Sequence, residues 1–146
     1  MTIDHNLFTS KLDELDAEYT QMISKLKLCY KGSAEDVHHA EEDLMKACRA
    51  QETELEMVIS GSRSQAMTEL AKLQLQYFQE IRSAVTEKLP LYLNAMSSPT
   101  DRSRAEAMAL YAEFAIDNAI QSMRYALHAA LSAVELQLKA DQLQMC

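Results

Sequence analysis

Residues 98–145 read SPTDRSRAEAMALYAEFAIDNAIQSMRYALHAALSAVELQLKADQLQM, and after Pro99 this run contains neither glycine nor proline. Ser98-Pro99-Thr100-Asp101 is a helix start: serine as cap, proline at the first helical position and an acid at the third. A helix of roughly 45 residues extends about 68 Å at 1.5 Å per residue. Ordinary globular helices average about three turns, so this one reads as a rod. It carries two adjacent seams. One is nearly all small: Ala105, Met108, Ala112, Ala115, Ala119, Ser122, Ala126, Ala129, Ala133, Leu136, Ala140 and Leu143. The other is bulky: Ala109, Ile116, Ile120, Met123, Leu127, Ala130, Val134 and Leu138. Two neighbouring seams imply at least two partners, and the small one lets a partner approach at the short end of the 8–10 Å interaxial range. Ala112, Ala115, Ala119, Ala126, Ala129 and Ala133 are therefore the expected interaction seam.

The remainder of the chain supports the same class. Its 146 residues make about one domain, and they include only two glycines and two prolines, against about ten and seven for an average composition. A sheet protein needs a turn every 8–12 residues, and those turns need Gly, Pro, Asn or Asp. All-β and α/β architectures are excluded, and so are phosphate-binding loops, which need clustered glycines. The expected fold is an all-α, elongated antiparallel helical bundle or coiled coil of three to four long helices, in a single domain over 1–146.

The first helix is expected over about 4–30. Phe8, Leu12, Leu15, Tyr19, Met22, Leu26 and Cys29 alternate steps of four and three, a heptad seam held for about three repeats. Leu7, Ile23 and Leu28 broaden it towards a bundle face. Gly32 suits a left-handed position after the helix, and Ser33 can cap the next one, with Asp36 at its third position. The second helix is expected over 34–59, with Val37, Leu44, Cys48, Leu55 and Val58 on the seam and Glu41 and Gln51 as polar interruptions. A third segment, 62–93, follows with its phase slipped by one residue at Ser60-Gly61-Ser62: Ala66, Leu70, Leu73, Tyr77, Ile81 and Ala84. Either the chain turns at Gly61, giving four helices, or one long helix passes through with local over-winding. A reversal with no second Gly or Pro is poorly supplied with turn chemistry, which favours continuity. Pro90 loosens the end of the segment, and Asn94 to Ser98 form the clearest loop.

A formal charge of −8 with no basic run argues against nucleic-acid binding, which rests on clustered Lys and Arg, and against electrostatic docking on anionic lipid. Glu41-Glu42-Asp43, the longest like-charge stretch, reads as a solvated helix face. Three cysteines, none in a CxxC spacing, read as reduced thiols. The opening MTIDHNLFTSKLDELD lacks the basic and apolar regions of a secretory leader, and no window is apolar enough to span a bilayer. The expected location is the cytosol.

Candidate chemistry is sparse. Glu35-x-x-His38, beside His39, Glu41 and Glu42, has the carboxylate–histidine spacing of di-iron bundles. Such sites need a second pair and two further acids, and neither His5 nor His128 has a Glu three residues before it. His128, flanked by Leu127 with Arg124 and Tyr125 one turn back, reads as a packed boundary residue. Cys29 and Cys48 act as small apolar seam residues, and Cys146 has no neighbouring base to lower its pKa. No catalytic residue, cofactor or metal is expected. The nine methionines, Met22, Met45, Met57, Met67, Met108 and Met123 among them, read as gap-fillers or as an adaptable partner groove. Ser98-Pro99 and Arg63-Ser64-Gln65 match short kinase-like patterns that are common by chance.

Three classes of function follow. The first is a scaffold or assembly subunit acting through helix–helix protein contacts, as a homo-oligomer or within a hetero-complex. The second rests on Leu70 to Ile81, LAKLQLQYFQEI, which ends in Leu89-Pro90. This stretch resembles the last-helix signature of crescent-shaped BAR-type domains, and three helices of unequal length, with Gly61 bridged, are similar to that family. The resemblance covers under a fifth of the chain and implies a membrane-shaping module. The chain departs from the family in lacking its basic concave face, since only Arg63, Arg102 and Arg104 come near such a patch. The third class is a metal- or ligand-binding bundle.

Overall fold

A computed structural model of the chain describes residues 3–93 and 100–145. The expected Asn94–Ser98 loop, the Ser98-Pro99 helix start and Cys146 lie outside the described residues. The fold is all-α, and no strand occurs among the described residues. It comprises α1 (His5–Cys29), α2 (Ala34–Gly61), α3 (Gln65–Ser83), a π-helical turn (Ala84–Lys88), α4 (Leu89–Tyr92) and α5 (Asp101–Gln144). Among the described residues, no helix is long and apolar enough to cross a membrane.

Each boundary has a local cause. The Asp4 carboxylate accepts from the Asn6 amide at 3.0 Å and starts α1. The end of α1 differs from expectation, because no glycine among the described residues has a positive φ. Instead of a left-handed Gly32, two tight turns close the helix, Lys31 N–H donating to Leu28 C=O and Gly32 N–H to Cys29 C=O. Glu35 and Asp36 occupy the first turn of α2, where acids oppose the positive helix end. At the start of α5, Thr100 and Ser103 form a reciprocal capping box. The Ser103 amide donates to Thr100 Oγ1 at 3.1 Å, and the Thr100 amide donates to Ser103 Oγ at 2.9 Å.

The chain turns after Gly61 rather than running through it. The reversal uses serine side chains in place of a second glycine or proline. The Ser64 amide donates to Ser62 Oγ at 3.1 Å, and Ser64 Oγ caps α3 by accepting from the Met67 amide at 3.3 Å. Ser64→Ala is expected to cost about 1 kcal/mol, the usual worth of a serine cap. Gly61 has helical φ, and a Cβ there meets nothing within 4 Å. Gly61→Ala should therefore stabilise the chain by about 0.5–1 kcal/mol. Opposite shifts of the urea midpoint for the two variants check both statements.

Helical backbone is continuous from Gln65 to Tyr92, but it widens to a π turn ahead of Pro90. Proline has no N–H, and its ring crowds the carbonyl four residues before it, here Thr86. The ladder answers with a wider step, the Leu89 amide donating to Ala84 C=O.

The chain divides into two compact units, Ala34–Phe114 and Met1–Ser33 with Ala115–Cys146. In the Ala34–Phe114 unit, α2 and α3 pack as a hairpin. Its buried residues are small: Ala71 on α3, Val85 on the π turn, Pro90, and Ser103 and Ala107 on α5. Helices meet closely at such positions because no long side chain holds them apart. In the other unit, Phe8, Ile23 and Cys29 of α1 are half-buried, as are Ala130, Ala133 and Val134 of α5.

Candidate functional site

Within the Ala34–Phe114 unit, a groove of about 470 Å³ opens between α2, the α3–π-turn segment and the first turns of α5. On α2 the residues that line it, Glu41, Met45, Cys48 and Glu52, recur at steps of four, three and four, which is one helical face. Opposite stand Phe78, Ile81 and Val85, and α5 contributes Met108 and Tyr111. Val85 and Thr86 line the groove from the π turn. Glu41 and Gln51, the polar positions of the α2 seam, also lie on its wall.

One ion pair spans the hairpin. The Arg82 guanidinium donates to the Glu52 carboxylate from 30 residues away. The Glu52 side chain is 18 % exposed and that of Arg82 48 %, so solvent screens the pair from one side only. The pair fixes the facing of α2 and α3 and neutralises the one acid that sits deep in the wall. The groove is thus apolar in character, with a polarisable methionine on two of its sides. It fits bulky apolar side chains, such as those on the ridge of another helix.

Burial raises the Tyr111 phenol above its ordinary value near 10, and the neighbouring Tyr77, which would repel a second negative charge, raises it further. The sign follows from linkage. Below pH 10 both folded and unfolded chains keep the proton, and stability is flat. Above pH 10 the unfolded chain ionises first, so stability falls as pH rises towards the folded value. Tyr111→Phe should flatten that alkaline fall, measured as urea midpoints between pH 9 and 11.

The other candidates stand apart from this groove. His38 and His39 are exposed and form a polar patch near the start of α2, with Glu35 beside His39 at 3.8 Å and His38 beside Glu42 at 3.5 Å. Among the described residues no group of three or more His, Cys, Asp or Glu side chains is placed to hold a metal ion. His128 is exposed, Cys48 is exposed and Cys29 half-buried, both as free thiols.

The alanine seam is distributed over both units. Ala112, Ala119, Ala126 and Ala129 are exposed, while Ala115 and Ala133 are half-buried. Two buried alanines of the Ala34–Phe114 unit, Ala71 on α3 and Ala107 on α5, are ones that the seam did not include. The signal for Ala107 lies in Ser103, Ala107 and Tyr111, which repeat at four-residue steps beside it. Leu12, Leu15, Tyr19, Met22 and Leu26 of α1 are exposed, and so are Ile116, Ile120, Met123 and Leu127 of α5. Compared with protein-family models, with curated proteins and with solved structures, the chain matches none of them.

Proposed function

We propose that this chain is a non-enzymatic helical scaffold or assembly subunit that works through helix–helix contacts, with further copies of itself or within a hetero-complex. The observation that carries the reading is the exposure of residues placed at seam spacing. Leu12, Leu15, Tyr19, Met22 and Leu26 are 43 to 60 % exposed. Completing the burial of such a side chain contributes about half of the roughly 1.5–3 kcal/mol that full burial gives. Contiguous exposed apolar faces of this kind mark interaction surfaces. The methionine-lined groove adds a second surface suited to a helix ridge. Three cysteines, none in a CxxC spacing, suit a reducing compartment, and we place the chain in the cytosol.

Light scattering and thermal melting of the full chain test the reading. The expected mass is a multiple of 16.5 kDa, or the chain melts without cooperativity until a partner is supplied. Ala119→Leu with Ala126→Leu should weaken assembly by about 1–3 kcal/mol, by forcing apart helices that meet on the small seam. A 16.5 kDa monomer with one sharp, concentration-independent melt, unchanged in the double variant, would overturn the proposal.

A further inference from the structure

We infer that α1 pairs with α1 of a second copy of this chain, parallel and in register. The inference rests on the assembly reading above and names its partner. With Leu12 at heptad position a, the a layers are Leu12, Tyr19 and Leu26, and the d layers are Phe8, Leu15, Met22 and Cys29. The seam runs roughly 32 Å at 1.5 Å per residue. Its middle, Leu12 to Leu26, is the part left exposed within its own unit.

The flanking charges select the partner and the direction. In a parallel pair each g residue faces the e residue five positions on in the other helix. Lys11 then meets the partner's Asp16, and symmetry repeats the contact. Glu18 faces the partner's Ile23, and Lys25 faces the partner's Tyr30, so no like charges oppose each other. Lys11 is exposed and pairs with Glu14 one turn away on its own helix, at 3.1 Å, a contact weak enough to exchange. Antiparallel pairing fares worse. The register that sets Phe8 against the partner's Leu26 opposes Lys11 to the partner's Lys25, Glu18 to the partner's Glu18 and Asp16 to the partner's Asp16. The two registers one heptad away relieve these charges, but one leaves Phe8 without a layer and the other leaves Leu26 and Cys29 without one.

The test uses the full chain with Cys48→Ser and Cys146→Ser, keeping Cys29. In the parallel pair both Cys29 residues share one d layer, and oxidised glutathione should convert the two thiols to an interchain disulfide. In each of these antiparallel registers the two Cys29 residues stand about 25 Å apart or more, far beyond the ~7 Å reach of a disulfide. Asp16→Lys should raise the dimer dissociation constant roughly tenfold, because it turns two attractions into repulsions. Lys11→Asp added to Asp16→Lys should restore it to within about twofold, with unchanged helix content by circular dichroism. A dimer by light scattering that forms no Cys29 disulfide, or that ignores Asp16→Lys, overturns the α1 pairing and leaves the assembly reading in place. A sharply melting monomer removes both.

Discussion

Ala107→Leu is expected to destabilise the Ala34–Phe114 unit by about 1–3 kcal/mol and to lower its melting temperature by roughly 5–20 °C. Ala107 is 0 % exposed. Ser103, one turn before it, is buried as well, and Tyr111, one turn after, is half-buried. Three extra carbons at this point have no solvent to enter. Interiors are packed to the density of organic crystals, so α5 must shift or neighbouring side chains must leave their rotamers. Leucine and alanine differ little in helix propensity, so the loss reports packing and not helix formation. Ala50→Leu is the matched control. It makes the same chemical change within the same unit, but at an exposed α2 site off the seam and off the groove wall, where the expected effect lies within about 0.5 kcal/mol. Equal melting of the two variants would mean that α5 does not approach closely at Ala107.

The contrast between these alanines shows what could be read in the sequence. Helix periodicity places apolar residues on faces: beside expected helices over about 4–30, 34–59, 62–93 and 98–145 stand α1 (His5–Cys29), α2 (Ala34–Gly61), a run that leaves α-helical geometry at Ser83 and goes on through a π turn to Tyr92, and α5 (Asp101–Gln144). Periodicity does not say which face meets which helix. Ala71 on α3 and Ala107 on α5 are buried through tertiary packing that spacing along one helix does not specify. The same holds for the groove. Met45 and Met108 could be suspected of lining an adaptable surface, but Phe78, Ile81 and Tyr111 join them through tertiary contact alone, and Glu52 finds Arg82 across 30 residues.

Two local features are legible only in part. A turn at Gly61 is one of the two readings that the sequence leaves open, and continuity is favoured only while Gly and Pro alone count as turn residues; the serines make the Ser62–Ser64 reversal, since a side-chain hydroxyl can satisfy the same backbone groups. Pro90 signalled a weakened helix, but its remedy was a π turn at Ala84–Lys88 that keeps the backbone helical. That remedy depends on how the ring of Pro90 meets the Thr86 carbonyl. Residue counts carry no such information.

Ile120→Asp together with Leu127→Asp should abolish assembly through the bulky seam of α5 while leaving the chain folded. Both residues are exposed, and they alternate along that seam with Ile116 and Met123. In the lone chain the new carboxylates stay hydrated, and the cost is confined to helix propensity, about 0.5 kcal/mol per site. Helix content and the melting of the Ala34–Phe114 unit should therefore be preserved. In an assembly that covers the seam the balance is different. Each carboxylate must be stripped of water against apolar neighbours, which costs several kcal/mol, and each lost Ile or Leu forfeits about 1.5–3 kcal/mol of burial. The two effects together exceed 4 kcal/mol, a weakening of roughly a thousandfold or more. Sedimentation equilibrium should then find monomer at concentrations where the parent chain is associated. An associated double variant would show that this face of α5 lies outside the interface. The α1 seam would then have to supply the contact area alone, and Leu15→Asp with Met22→Asp should dissociate the assembly in its place.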